Sequence, residues 1–236
     1  MRDLRRRCDW DAAQTHESLR PYLIEEAHEV DEALQSGDDL RLREELGDLL
    51  LQILFHSVIA EERRAFTLQD VAESFITKMK ARHPHLYGDG VREPWEKMKA
   101  QERTSISDGL PAGLPALHRA FRLQDRAAGV GFDWPTTEGP VAKVHEELGE
   151  MEAELNHTEP SQERLQDEIG DLLFAVVNLA RKAGVHPALA LDRANKKFER
   201  RFQEIERLAR ERGIVVAEAG LAVLDSLWDE VKQSEN

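Results

Sequence analysis

Apolar residues recur every three or four positions along much of this chain, which is the spacing of a helix that buries one face. Residues 168–183 show this pattern and are followed by Gly184 and Pro187, two residue types that typically end a helix. A second helical stretch, residues 188–211, stops just before Gly213, and residues 221–232 predict a short last helix. Runs that alternate apolar and polar residues are scarce. The pattern predicts an all-α protein built of helical bundles.

The helical pattern occurs twice, because the chain contains an internal repeat of about 120 residues. Residues 23–29 resemble residues 144–150, and residues 45–50 resemble residues 168–173. The offset is 121 residues from Glu26 to Glu147 and 123 residues from Glu45 to Glu168. The pair Asp9-Trp10 recurs as Asp133-Trp134 at an offset of 124 residues, and Lys78 with Arg82 matches Lys197 with Arg201 at 119 residues. These offsets indicate that one ancestral unit was duplicated.

A boundary between the two copies is visible in the composition. Residues 104–115 mix serine, glycine and proline, which interrupt helices and are typical of linkers. The sequence therefore predicts a first domain over residues 1–104, a linker over residues 105–115 and a second domain over residues 116–236.

Composition and charge exclude several classes of protein. The chain has 46 acidic and 32 basic residues, a formal net charge of −14, which repels nucleic acid and anionic membrane surfaces. The lone Cys8 excludes an internal disulfide and a multi-cysteine zinc site, as expected in a reducing compartment. The apolar runs are far shorter than the ~20 residues that span a bilayer. We expect a soluble, cytoplasmic protein with neither nucleic acid nor membrane as a partner.

Paired carboxylates are the candidate chemistry of this sequence. Glu147 and Glu150 lie three residues apart, as do Glu168 and Asp171, so each pair shares a helix face. Glu168 also falls in line with the apolar stripe of its helix, and carboxylates on that side need a cation. Four inward acids suit Mg²⁺, or Mn²⁺ as a substitute, better than zinc. The first copy has its own set: Glu26, Glu29, Glu45 and Asp48.

Two other interpretations of these acids remain open. A single acidic pair at this spacing is more often a solvated surface, particularly in a chain of this charge. A di-iron centre needs a Glu-x-x-His motif on each of two helices. That motif occurs at Glu25–His28, whereas the corresponding position of the second copy is Gly149.

Basic residues accompany the acids of the second copy. Lys143 lies one turn before Glu147, Arg164 one turn before Glu168, and Lys197 one turn before Arg201. They could be ordinary surface ion pairs, worth a few tenths of a kcal/mol each. Metal-binding acids beside several cations are also what a polyphosphate needs, because the metal and the cations neutralise different phosphate oxygens. An acidic protein can bind a polyanion in this way.

The duplicated Glu-Glu-x-x-Glu and Glu-x-x-Asp motifs resemble the MazG nucleoside triphosphate pyrophosphohydrolases, members of the all-α NTP pyrophosphatase superfamily. Residues 8–11, 21–23, 82–85, 130–134 and 195–202 extend the resemblance over nearly the whole chain. It implies Mg²⁺-dependent hydrolysis of nucleoside triphosphates, NTPs and dNTPs alike, to the monophosphate and pyrophosphate, with broad base specificity, a homodimer, and a house-cleaning or stress-related role.

The resemblance also implies roles for individual residues, with activity in the second copy. It makes Glu147, Glu150, Glu168 and Asp171 the metal ligands and, with Glu146, the catalytic set. The residues implied to line the nucleotide site are Lys143, Glu146, Arg164, Asp171, Lys197, Arg200, Arg201 and Trp228. Trp228 would stack on a base, although its helical spacing with Leu224 and Val231 equally fits a core position.

The first copy departs from the pattern of the second. Ile76, Met79 and His83 replace Asn195, Phe198 and Phe202, which argues against turnover there but not against metal binding. Two rival functions stay open. One is a non-catalytic nucleotide-binding helical regulator, and the other is a dedicated dUTP or dCTP hydrolase.

Overall fold

A computed structural model describes residues 1–92, 95–100 and 103–235, and over these residues the chain forms helices and no β-strand. It divides into two compact units, Met1–Arg92 and Glu93–Asn236. The first unit contains Arg2–Arg7 (α1), Asp9–Ala13 (α2), Arg20–Ser36 (α3), Asp39–Glu62 (α4), Leu68–Ala81 (α5) and Pro84–Tyr87 (α6). The second contains Trp95–Ala100 (α7), Ala116–Gly129 (α8), Glu138–Leu155 (α9), Gln162–Lys182 (α10), Pro187–Glu211 (α11) and Gly220–Ser234 (α12). The predicted all-α fold with two tandem helical repeats is confirmed.

The three helices predicted from periodicity are confirmed, with ends that differ by a few residues. The second of them begins at Pro187, where the fixed φ of proline suits the first helical position. Gly184 and Gly213, which follow the first and second of these helices, have φ values of +74° and +67°. Such angles are strained for residues with a Cβ, so glycine is favoured where the chain leaves each helix.

The boundary between the two units falls between residues 92 and 93, earlier than the predicted linker at residues 105–115. That segment instead packs within the second unit. The guanidinium of Arg126, buried on α8, donates hydrogen bonds to the carbonyl oxygens of Ile106 (2.7 Å) and Asp108 (2.9 Å). Because a buried guanidinium needs acceptors, these contacts tie residues 106–108 to α8.

The first unit is organised around the pair α3 and α4. Gly37, with φ of +69°, ends α3, and Asp38 caps α4 by accepting hydrogen bonds from the backbone of Leu40 and Arg41. A core of Leu19, Phe55 and Ile59 holds the chain before α3 against the second half of α4.

The second unit is organised around α10, which packs against α9 on one side and α8 on another. Helices α11 and α12 share a separate core of Ile205, Ala209, Leu227 and Val231. None of the helices in the described residues has the length and apolar character needed to cross a membrane.

Candidate metal and nucleotide site

Three carboxylates of the second unit converge between α9 and α10. Glu147 and Glu150 project from α9 and Glu168 from α10, and one oxygen of each lies within 4.8 Å of the others. The two α9 residues share a face because they are three positions apart. Glu147 is buried, with 4% of its surface exposed. The structure therefore brings together three of the four predicted metal ligands from two helices.

The electrostatics of this carboxylate trio favour a bound cation. Glu150 is exposed, but desolvation of its carboxylate by the surrounding atoms, together with the neighbouring carboxylates of Glu147 and Glu168, raises its pKa. Like charges at this separation disfavour full ionisation, and a divalent cation removes the repulsion. Carboxylate oxygens from two helices are the ligands that Mg²⁺ and Mn²⁺ accept. The donor set fits such an ion.

The fourth predicted ligand, Asp171, is not among the clustered carboxylates in the part of the chain that the structure describes. It is exposed on α10, one turn beyond Glu168. Three residues along a helix correspond to ~4.5 Å of rise and a rotation of ~60°, so Asp171 lies beside the trio. Its role as a metal ligand stays a prediction.

Lys143 provides the positive charge that directly faces the trio. Its ammonium lies 2.5 Å from a carboxylate oxygen of Glu147 and 3.0 Å from one of Glu146. These two hydrogen bonds raise the pKa of Lys143, which is therefore a fixed cation at physiological pH. The i,i+4 pair anticipated from the sequence is present, and it is made with a candidate metal ligand.

Arg164 lies at the start of α10 and has a different partner from the one anticipated. Its guanidinium donates two hydrogen bonds, of 3.0 and 3.2 Å, to the carboxylate of Glu154 on α9. Glu154 also accepts a 2.6 Å hydrogen bond from the backbone of Ser161. The expected ion pair of Arg164 with Glu168, one turn later, is replaced by a contact that joins the end of α9 to the start of α10.

The remaining predicted residues form a separate group on α11 and α12. The guanidinium groups of Arg200 and Arg201 donate hydrogen bonds of 2.6–2.9 Å to the carboxylate of Glu235. These bonds lower the pKa of Glu235 to about 2. The guanidinium of Arg201 also lies 5.4 Å from the ring centre of Trp228, and Lys197 is exposed on α11.

Trp228 is half-buried in this second group. Its ring packs against the core shared by α11 and α12, and its centre lies 5.5 Å from that of Phe198. The contacts agree with the core interpretation of its helical spacing, and base stacking by Trp228 stays a prediction.

The first unit has an equivalent carboxylate trio, but different residues surround it. Glu26 and Glu29 of α3 and Glu45 of α4 place one oxygen each within 4.8 Å of the others. Burial and the nearby Asp48 and Glu29 raise the pKa of Glu26. At the offset of 121 residues, however, Tyr22 occupies the position of Lys143. The first copy therefore repeats the acids but not the counterpart of Lys143, a difference that the sequence comparison had overlooked. The cation at this trio is Arg41, whose guanidinium lies 3.5 Å from a carboxylate oxygen of Glu45.

The second unit also contains a cavity of about 600 Å³ that was not predicted from the sequence. It lies between α8, residues 131–134 and α10, and its apolar walls include Leu123, Phe132 and Phe174. Trp134 lines it as well and packs so closely on Gly139 that a Cβ there would overlap the indole ring. The repeated Asp-Trp pair and the family resemblance of residues 130–134 were the signals in the sequence that pointed to this region.

Ion pairs hold one side of this cavity in place. The carboxylate of Asp133 accepts hydrogen bonds from Arg181 and, at 3.0 Å, from Lys182 at the end of α10. Burial alone would raise the pKa of Asp133, but these two cations outweigh it and lower the pKa. The loop that carries Trp134 is therefore anchored to α10 at neutral pH.

Comparisons with known proteins agree with the repeat and show the family of the chain. The family model described as the MazG nucleotide pyrophosphohydrolase domain matches residues 14–87 and 136–205. The chain is 42% identical to a protein of Escherichia coli K12 named nucleoside triphosphate pyrophosphohydrolase, over all of this chain and 94% of that protein. It is 44% identical to a Thermotoga maritima protein named nucleoside triphosphate pyrophosphohydrolase/pyrophosphatase MazG, over 95% of this chain and 89% of the relative. Both matched ranges contain one carboxylate trio.

Proposed function

Because the chain belongs to the family of MazG nucleotide pyrophosphohydrolase domains, we propose that it hydrolyses nucleoside triphosphates to the monophosphate and pyrophosphate with Mg²⁺. The chain is an enzyme of the nucleoside triphosphate pyrophosphohydrolase class. The observation that carries the magnesium requirement is the trio of Glu147, Glu150 and Glu168, which gathers negative charge that a divalent cation would balance.

The second unit is the proposed catalytic one. Glu147, Glu150 and Glu168 would hold Mg²⁺, with Asp171 close enough along α10 to complete the set when substrate is bound. When bound, Mg²⁺ supplies positive charge to the phosphate oxygens and favours attack by water. Mn²⁺ is the proposed substitute, since it takes the same oxygen ligands.

The side chains around the trio bind phosphate and position water. Lys143 would neutralise phosphate oxygens that the metal does not reach, and Glu146, paired with Lys143 at 3.0 Å, would orient the attacking water. Water adds to phosphorus, the bridging P–O bond breaks, and pyrophosphate leaves while the proton of the water is released. The cations proposed to hold the rest of the triphosphate are Arg164, Lys197, Arg200 and Arg201.

The first unit is proposed to bind metal without turning over nucleotide. Its trio is complete, but Tyr22 stands where Lys143 stands in the second unit. The cation at this trio is instead Arg41, which is also paired with Glu32. In addition, Ile76, Met79 and His83 replace Asn195, Phe198 and Phe202 of the second unit. A regulatory role for the first unit is therefore the second candidate function.

A homodimer is proposed from two exposed apolar stripes. On α10, Ile169, Leu173 and Val176 form a stripe whose side chains are 41–54% exposed in the single chain. On α4, the residues 123 positions earlier form an equivalent stripe, Leu46, Leu50 and Ile53, exposed by 42–51%. Contiguous exposed apolar residues favour an interface, and a two-fold interface uses the same patch on both subunits.

We expect all common nucleoside triphosphates to be substrates. The charged residues of the site recognise phosphate, whereas strong discrimination between bases, up to ~10⁴-fold, requires buried hydrogen-bonding groups that the wrong base leaves unpaired. Values of kcat/KM for eight NTPs and dNTPs should differ by roughly one or two orders of magnitude, and monophosphates should be inert. Assays that follow both monophosphate and pyrophosphate test this. Activity with dUTP or dCTP alone would identify a dedicated hydrolase, and release of single phosphate would contradict the reaction.

Magnesium should stabilise the folded protein even without nucleotide. A cation that binds the trio only in the folded state increases the free energy of unfolding by about 2.7 kcal/mol when its concentration is 100 times its Kd. Such an increase raises Tm by several degrees. Thermal melting in EDTA and in a series of Mg²⁺ concentrations measures the shift, with K⁺ at matched ionic strength as the control. A Tm that depends on ionic strength alone would contradict a magnesium site.

A further inference from the structure

Two of the arginines proposed to bind phosphate are occupied by a carboxylate of the same chain. Nη2 of Arg200 donates a 2.7 Å hydrogen bond to one oxygen of Glu235, and Nε and Nη2 of Arg201 donate bonds of 2.9 and 2.6 Å to the other. The planar edge of a guanidinium binds carboxylate and phosphate oxygens in the same geometry. Glu235 therefore takes a place in which a phosphate group could bind.

The fold of the second unit does not depend on this contact. The side chain of Glu235 is 27% exposed and that of Arg200 is 68% exposed, and ion pairs in contact with water contribute little to stability. Helices α11 and α12, which the contact joins, are held together by a core of their own: Ile205, Ala209, Leu227 and Val231. The carboxylate can therefore leave the arginines while the two helices stay packed.

The position of Glu235 favours such a movement. Glu235 follows Ser234, the last residue of α12, so rotation about its side-chain bonds breaks no hydrogen bond within the helix. Arg201 is held from a second side, because its guanidinium lies 5.4 Å from the ring centre of Trp228 and is attracted to that ring. Its side chain is only 18% exposed. Arg201 would therefore keep its place when the carboxylate leaves.

Another anion, rather than a proton, is what would displace the carboxylate. The hydrogen bonds from Arg201 and Arg200 lower the pKa of Glu235 to about 2. The carboxylate is therefore charged, and the contact is intact, at neutral and at mildly acidic pH. A triphosphate carries several negative charges and has enough oxygens to bond with both guanidinium groups.

We propose that Glu235 is an internal competitor of the substrate: it occupies Arg200 and Arg201 in the free protein, and the phosphates of a nucleoside triphosphate displace it. The proposal rests on the proposed function, because it concerns the regulation of the same phosphate-binding arginines. Such competition lowers the apparent affinity for substrate in proportion to the fraction of molecules in which the arginines are free. The contact thus raises KM without altering the carboxylate trio.

Glu235→Gln is the direct test of this competition. The amide keeps the size of the side chain but removes its charge, so the arginines are free more often and KM for ATP should fall roughly 3- to 10-fold. The value of kcat should stay within about twofold, because the trio and Lys143 are unchanged. Steady-state assays over a range of ATP concentrations at fixed Mg²⁺ measure both constants. An unchanged KM would overturn the proposal, and so would a higher KM, which would mean that Glu235 positions the arginines for substrate.

Glu230→Gln is the matched control. Glu230 also lies on α12, and its carboxylate is 2.6 Å from the guanidinium of Arg212, which follows the last residue of α11. The replacement removes the same charge and an ion pair at the same two helices, but it leaves Arg200 and Arg201 paired with Glu235. KM for ATP should stay within about twofold of that of the unaltered protein. An equal fall of KM in both variants would contradict the proposal, because the cause would then be the lower negative charge of the protein.

Binding of inorganic tripolyphosphate in EDTA gives a readout without turnover, since guanidinium groups bind phosphate without a metal. Calorimetry should give a Kd for Glu235→Gln that is roughly 3- to 10-fold below the Kd of the unaltered protein and of Glu230→Gln. Equal Kd values, or no binding by Glu235→Gln, would refute the competition. If the unaltered protein hydrolyses no nucleoside triphosphate, the proposed function fails, and this titration still tests the competition. Normal hydrolysis with equal KM and Kd in all three proteins refutes the internal competitor alone.

Discussion

Replacement of Glu168 by glutamine is expected to lower kcat/KM for nucleoside triphosphates by roughly 10²–10³-fold. The amide keeps the size of the side chain but removes the negative charge that α10 contributes to the trio with Glu147 and Glu150. A divalent cation held by the remaining carboxylates of α9 loses a ligand from the facing helix. Steady-state assays at saturating Mg²⁺ and over a Mg²⁺ titration separate weaker metal binding from slower chemistry.

Glu45→Gln is the matched control, because Glu45 is the equivalent residue of α4 at the offset of 123 residues. It should leave most of the activity, because Tyr22 and Ile76 replace Lys143 and Asn195 of the proposed catalytic unit. Without metal, Glu168→Gln should melt no lower than the unaltered protein, because it removes one of three mutually repelling charges. Glu45→Gln also removes the ion pair of Glu45 with Arg41, so its Tm in the absence of metal should be no higher than that of Glu168→Gln. A greater loss of activity in Glu45→Gln than in Glu168→Gln would mean that the first unit is the catalytic one.

Leu173→Glu is expected to convert the proposed dimer to a monomer. Leu173 is the central residue of the α10 stripe and is 54% exposed in the single chain, so the glutamate is tolerated there in the monomer. Burial of a leucine side chain contributes about 1.5–3 kcal/mol to the free energy of dimerisation, and a two-fold interface contains the residue twice. The dissociation constant of the dimer should therefore rise by at least about 100-fold. Light scattering over a range of protein concentrations measures this change.

Leu221→Glu provides the comparison for this experiment. Leu221 is 83% exposed at the start of α12 and lies outside both stripes. Its replacement by glutamate makes the same change of charge and of side-chain polarity as Leu173→Glu, but away from the proposed interface. The dimer should persist in this variant. Dissociation of Leu221→Glu together with an intact Leu173→Glu dimer would place the interface on α12.

Much of the fold and part of the site were predictable from the sequence because helix periodicity is a local property. Spacing alone placed Glu147 and Glu150 on one face, and repeated offsets identified the equivalent acids of the first unit. Helix ends at Gly184 and Gly213 followed from the tolerance of glycine for positive φ. The domain boundary was harder to predict from the sequence. Residues 105–115 have the composition of a linker, yet Arg126 donates hydrogen bonds to two of their carbonyl groups.

By itself the sequence determined the all-α class, the duplication, the acids and the family resemblance, because each of these depends on residue types and on spacing along one helix. Only the tertiary structure decided which side chains of different helices meet. It paired Arg164 with Glu154 on the neighbouring helix, left Asp171 beside the carboxylate trio, and formed a cavity between α8, residues 131–134 and α10. The physical reason is that spacing along one chain segment sets neighbours within a helix, whereas ion-pair partners and cavities depend on how separate helices pack.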